Sequence, residues 1–160
     1  MKQGLTIIEV LVALVFLSLV TVSIFPMVGW LITRSRQAQY DSQAAIVMQD
    51  GVETAYSVLM TDWNAMTAGE VYSPQVVLTG TGQHWGMSLG ESQVEARFTR
   101  GVRVETVCRN PGSGEIEDCG PGTDVDDKSK ALNTTVRWLE KGIPKQIAAS
   151  LLVVNLQTEP

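Results

Sequence analysis

Glu9 stands five positions after Gly4 at the head of an apolar run, and no charged side chain follows it from residue 10 to 33. A carboxylate there can do two kinds of work. At a helix N-terminus it complements the macrodipole, worth about 0.3–1 kcal/mol at an exposed site. Withdrawn into an apolar medium it must find a cation, because an ionised carboxylate at a bilayer centre costs on the order of 3 kcal/mol or more. The other chemistry-bearing residues are few. Cys108 and Cys119 flank a stretch rich in glycine, proline and acid. If that part lies outside the cytoplasm, a disulfide closing the short loop is the natural reading; inside it, the pair would be free thiols. With His84 as the single histidine and no second cysteine pair, the spacing fits no zinc pattern. His84, beside Trp85, has no placed acid or nucleophile in the sequence and reads as structural. Asp118, Asp124, Asp126 and Asp127 gather within residues 109–130. They lack the spacing and closing glutamate of an EF-hand, so a solvated acidic loop is expected rather than a metal site. There is no GxSxG, P-loop or HExxH motif. No enzyme and no cofactor is expected.

These residues need elements to position them. The uncharged run is long enough for a helix to cross a bilayer, which takes about 20 residues at 1.5 Å each. Pro26 interrupts it late, removing one backbone hydrogen bond, and is expected to kink or locally melt the helix. Trp30 reads as an interface anchor. Beyond Arg34 an apolar stripe of Ala38, Ala45, Met48, Val52, Ala55 and Leu59 predicts that the helix continues, now amphipathic, to about Met60. Asp62, Asn64 and Gly69 end it.

The remainder reads as β. Residues 71–79 form a short strand that Pro74 assigns to an edge. Over residues 93–108, Val94, Ala96, Phe98, Val102, Val104 and Cys108 alternate with Gln93, Glu95, Arg97, Thr99, Arg103 and Glu105. Arg100 and Gly101 interrupt that alternation as a bulge or a tight turn. Residues 109–130 read as loop. Residues 134–140 are a strand with Val136 and Trp138 inward, Lys141 and Gly142 a hairpin turn, and residues 147–156 an apolar strand expected at the centre of the sheet. The fold class is therefore α+β, a long helix packed on a small antiparallel sheet.

With 160 residues and a net charge of −5, the chain holds one small domain beyond its anchor and shows no basic face for nucleic acid. Lys2 before the span and Arg34 and Arg36 after it nearly tie on the positive-inside count. An ordinary secretory signal would have a shorter apolar core; its best cleavage site, around Thr21, Val22 and Ser23, is followed by more apolar residues.

Lys2, Gly4, Thr6, Ile8, Glu9, Val10, Leu11, Val12, Ala13 and Leu14 together closely resemble the processing signal of type IV pilins and type II secretion pseudopilins. The likeness covers about the first 30 residues, with Leu5 where phenylalanine is commonest. It implies a leader over residues 1–4, cleavage between Gly4 and Leu5 by a prepilin peptidase, and N-methylation of Leu5. It also implies a transmembrane and polymerisation helix over residues 5–33, with Thr6 and Glu9 serving assembly, and a globular pilin-like domain over residues 34–160. Many pilins carry a proline at the position of Pro26. The implied partners are other pilin or pseudopilin subunits, the peptidase, an inner-membrane assembly platform and the membrane itself. The implied location is a single-pass inner-membrane protein, N-terminus inside and globular domain outside, then incorporated into a pilus or pseudopilus.

The short leader is similar to those of type IVa pilins and pseudopilins. The Trp138 strand followed by a glycine-turned apolar strand is similar to minor pilins of the pilus-modification kind. The competing expectation is a membrane-anchored extracytoplasmic binding or enzymatic domain that has only a pilin-like N-terminus. A plain anchor needs a span and a linker, whereas here the span runs on into an amphipathic helix without an intervening linker.

Overall fold

The computed structural model describes residues 6–79 and 82–156. Gly4 and Leu5, the expected cleavage and methylation positions, lie outside the described residues. One helix, α1 (Ile7–Thr61), precedes seven strands: β1 (Val71–Thr79), β2 (Gly82–Leu89), β3 (Ser92–Val94), β4 (Phe98–Arg109), β5 (Ile116–Glu117), β6 (Asp124–Glu140) and β7 (Ile143–Val154). The sheet is antiparallel in the order β2-β1-β4-β6-β7, with β3 and β5 each paired onto β4. This is the α+β class expected. The chain divides into two compact units, Met1–Ser42 and Gln43–Pro160.

In the second unit, the last turns of α1 cover one face of the sheet. Ala55, Leu59, Met66, Tyr72, Val102, Val104, Leu132 and Val153 form one buried cluster. Ala44, Phe98, Val136 and Trp138 form another, with the Phe98 and Trp138 rings edge to face at 6.0 Å. Between the two clusters the layer turns polar, with Gly51 of α1, Arg100 of β4 and Thr134 of β6 all buried. Arg100 donates to the Val47 carbonyl at 3.1 Å and pairs with the Asp50 carboxylate. A Cβ on Gly51 would lie 3.0 Å from Arg100 Cδ and 3.2 Å from Thr134 Cγ2. The absence of a side chain at Gly51 is what lets the guanidinium pass under the helix.

This seam corrects the expected stripe. Ala38 and Ala45 are exposed, and the packed face is Ala44, Val47, Met48, Gly51, Thr54, Ala55, Val58 and Leu59. It is centred on a glycine and a threonine, which an apolar count does not weigh. The helix is unbroken through Pro26, so the proline does not melt it. Past Thr61, Asp62 Oδ1 accepts from the Asn64 N–H at 2.9 Å and Gly69 adopts φ +90°. Lys130 Nζ then ties the exit to β6, donating to the Trp63 and Met66 carbonyls at 2.6 and 2.7 Å. Burial pushes that amine below its ordinary value.

One strand appears where none was expected, and further expectations change. Glycine-rich residues 82–89 form β2, where Gly86 lets the strands approach: a Cβ there would lie 2.7 Å from Val77 Cγ2. The chain reverses at Glu95 and Ala96, both with positive φ, not at Arg100 and Gly101, which sit in unbroken register with Val136 and Thr135. The irregularity in β4 falls instead between Thr106 and Cys108. Strand β6 begins at Asp124, inside the expected loop, and β7 lies at the end of the strand order, pairing only with β6. The hairpin at Lys141 and Gly142 is present, with positive φ at both, as a two-residue mirror-image turn requires. Strand β1 is not the edge expected of it but lies between β2 and β4; its pairing with β4 stops at Val71 and Tyr72, so Pro74, which lacks an N–H, stands beyond it with β2 alone beside it.

Gly51→Leu should lower stability by about 1–3 kcal/mol through overpacking. Denaturant unfolding of the full chain in detergent, followed by tryptophan fluorescence, reads this as a lower midpoint. An unchanged midpoint would show that the seam is not close-packed.

Candidate functional site

In the first unit, α1 has no side to bury. Every large apolar side chain over residues 7–32 is at least 44% exposed, from Ile7 at 82% to Val10 at 44%. The mean hydropathy of its most apolar stretch is 2.7, and α1 is the one helix among the described residues long and apolar enough to cross a membrane. A helix apolar all round requires an apolar surround. Its hydroxyls are already suited to one. Ser18 donates to the Val15 carbonyl at 2.8 Å, Thr21 to Leu17 at 2.7 Å, Ser23 to Leu19 at 2.8 Å and Thr33 to Gly29 at 3.0 Å. Each polar hydrogen is thereby satisfied inside the helix, as a medium without water demands. Near the far end, the Arg34 guanidinium lies 5.3 Å from the Trp30 ring centroid, a pairing suited to an interface.

Thr6 opens the helix. Its carbonyl accepts from the Glu9 and Val10 N–H groups at 3.0 and 3.3 Å, which makes it the N-cap and places Glu9 in the first turn. The spacing Thr-x-x-Glu is that of a capping box, a signal already legible in the sequence. Glu9 is exposed, and its carboxylate has no hydrogen-bond or ion-pair partner among the described residues.

The second candidate region is the loop after β4. Cys108 and Cys119 are joined in a disulfide with Cα atoms 5.1 Å apart. Strand β5 folds back on β4, pairing Glu117 with Cys108 and Ile116 with Arg109. Asn110 Oδ1 accepts from the Gly112 and Ser113 N–H groups at 2.9 and 3.2 Å and shapes the turn. Arg109 Nε reaches Asp126 Oδ2 at 2.6 Å, and Ser129 Oγ donates to the same oxygen at 2.6 Å. The Ser129 and Arg109 hydrogen bonds hold the Asp126 carboxyl below the ordinary 3.8. So one of the four gathered aspartates serves as a clasp, and Asp124, Asp126 and Asp127 lie in β6 rather than in a loop. Among the described residues no three His, Cys, Asp or Glu side chains are placed to hold a metal ion. His84 lies exposed on β2, far in sequence and pairing from this clasp.

Comparison with protein-family models, with curated proteins and with solved structures finds no match for this chain.

Cys119→Ser should cost about 2–3 kcal/mol, the chain-entropy value for a loop of this length, read as a lower unfolding midpoint that reductant no longer changes. Asp126→Asn should be less stable than wild type at neutral pH. Because the folded carboxyl titrates below the unfolded value, the clasp's contribution is complete above about pH 4 and is lost as pH falls through the folded value. Unfolding midpoints across pH 2–7 should therefore converge only at the acid end. A constant gap would exclude the carboxylate as the cause.

Proposed function

We propose that this chain is a minor structural subunit of a type IV pilus or type II secretion pseudopilus, assembled through its N-terminal helix. The observation that carries the reading is the joint character of α1. It is apolar on every side through residue 33, internally satisfied at each hydroxyl, headed by a single carboxylate, and then becomes part of the globular unit's own core. A tether needs only the first of these. A helix that serves both as membrane span and as core element is what a polymer part requires. The residues resembling a prepilin signal, Lys2, Gly4, Thr6 and Glu9, supply the processing step in this reading. The disulfide fits an extracytoplasmic domain.

Its partners are then the prepilin peptidase, the inner-membrane assembly platform and neighbouring pilin-like subunits. The peptidase cuts after Gly4 and leaves an α-amine at Leu5. In the membrane Glu9 stays near the headgroups, hydrated. Once the helix enters a filament core the hydration is lost, and an unpaired buried charge becomes strongly unfavourable. The newly made amine of a neighbouring subunit is the cation that assembly itself delivers to this depth. Pairing would offset desolvation and set axial register, since any other stagger leaves both charges alone. The reading assigns the chain no reaction of its own.

Gly4→Val should leave the uncut precursor in the membrane. Glu9→Leu should be inserted and cleaved normally yet be depleted in sheared filaments relative to membranes, with Glu9→Asp intermediate. Equal incorporation of wild type and Glu9→Leu would reduce Glu9 to a helix-start residue and remove the assembly mechanism.

A further inference from the structure

From residue 71 to 90 the chain carries no Asp, Glu, Lys or Arg, although its net charge is −5 and Glu70 and Glu91 stand on either side. This segment is the β1–β2 hairpin, and its register sorts the side chains. On one face Pro74 stands opposite Met87, Val76 opposite Trp85 and Leu78 opposite Gln83. On the other, Gln75 stands opposite Gly86 and Val77 opposite His84. By alternation the apolar face is the one that Tyr72 turns into the core beside Leu59 and Met66. At the root of the hairpin that face is covered: Tyr72 and Pro74 are buried, and Met87 packs against the core. Toward the tip the cover ends, with Val76 52%, Trp85 55% and Leu78 74% exposed. Because β1 pairs with β4 only at Val71 and Tyr72, the remainder is a two-stranded ribbon, an element only marginally stable in water on its own.

The direction of the ribbon identifies the surface that covers it. Phe98 clusters with Ala44, and Val104 with Ala55 and Leu59, so β4 runs the same way as the helix above it. Strand β1 is antiparallel to β4. The hairpin therefore points back toward Gln43, where the globular unit begins. From Pro74, level with Arg100 by register, the ribbon runs on to Thr79, about 17 Å at 3.3 Å per residue. The helix needs only about 10 Å to return from Gly51, which lies against Arg100, to Ala44. The tip thus reaches the end of the unit that joins the apolar run. Residues 34–42 are the whole of that connection, a covalent reach of at most about 35 Å.

We propose that this hairpin is a membrane-seating arm, whose uncovered apolar face rests in the headgroup region of the bilayer that holds the apolar run of α1. A lipid interface accepts tryptophan and apolar side chains and penalises charge, which the arm lacks. The arm lies on the bilayer and does not cross it. A spanning strand takes about 9–11 residues, whereas only the outer half of this ribbon is uncovered. Among the described residues no strand but β1 pairs with β2, so the outer backbone groups of residues 83–89 rely on water. The headgroup region supplies that water and the hydrocarbon core does not. The polar face with Gln75 and His84 is then turned away from the lipid.

The test uses the full chain carrying Trp30→Phe, reconstituted into phosphatidylcholine vesicles with or without bromine on the acyl chains. Bromine should quench part of the tryptophan emission, and adding Trp85→Phe should remove that part. Leu78→Glu places a carboxylate on the apolar face at a side chain the fold does not bury, and should abolish the Trp85 quenching. Gln75→Glu, exposed on the opposite face, should leave it unchanged. Raising salt to about 1 M should not reduce it, because the arm has no charge to screen. Absence of Trp85 quenching, or its loss in both variants alike, would overturn the proposal. So would a Trp85 that bromine never reaches but that other pilin-like subunits shield from acrylamide, which would assign the open edge of β2 to a protein strand. The arm requires α1 in a bilayer and no filament, whereas incorporation is read in sheared filaments, so this proposal and the assembly reading can each fail alone.

Discussion

A single buried guanidinium sets how the helix lies on the sheet. Arg100 is 4% exposed in the middle of an otherwise apolar layer, where an ion left unpaired costs several kcal/mol. Asp50 and the Val47 carbonyl answer it from α1, and Gly51 leaves it room. The apolar clusters on either side do not by themselves choose a register, because small and branched side chains recur at every turn of the helix. Sliding α1 by one turn would bring Val47 or Ala55 over Arg100 and bury its charge without a carboxylate. The seam adds little to net stability, since desolvation offsets much of the attraction. Its contribution is that other registers become far worse.

That fixed register matters because the same helix supplies the apolar surface over residues 7–32. Hydrophobic burial is non-directional. A smooth apolar rod enters a bilayer or a bundle of like helices without preferring one depth over another. Serines and threonines along it do not change this, because each is satisfied by its own helix. Depth and stagger must be set by groups that the helix cannot satisfy alone, and Glu9 is such a group.

The long helix and its end were legible because their signals are local: an uncharged run, a sustained 3.6-residue period, then Asp62, Asn64 and Gly69. The Lys141–Gly142 hairpin was legible for the same reason. What was missed depends on contacts distant in sequence. Gly86 weakens a strand by propensity, yet β2 forms because Val77 across the ladder occupies the space a side chain would need. Glu95 and Ala96 carry no turn signal, whereas Gly101, which does, lies flat in the sheet opposite Thr135 of β6. The aspartates of β6 read as loop until Arg109 and Ser129 are brought to Asp126 by pairing. The expectation that β7 is central took an apolar run as a sign of two paired neighbours. Burial depends on side chains and pairing on backbone, and β7 is apolar while pairing only with β6.

The same separation explains why the disulfide could be foreseen and the outward polar row across the sheet could not. Two cysteines eleven positions apart define a loop whatever fold surrounds them. Gln93, Thr99, Arg137 and Gln146 lie on four strands and become a row only through three successive registers. Each alone is an ordinary polar residue on the outward face of a strand. The helix, in the proposed reading, would fix stagger through one carboxylate. A stagger that left Glu9 away from its partner would leave a charge buried alone, whatever apolar contacts the rest of the helix made.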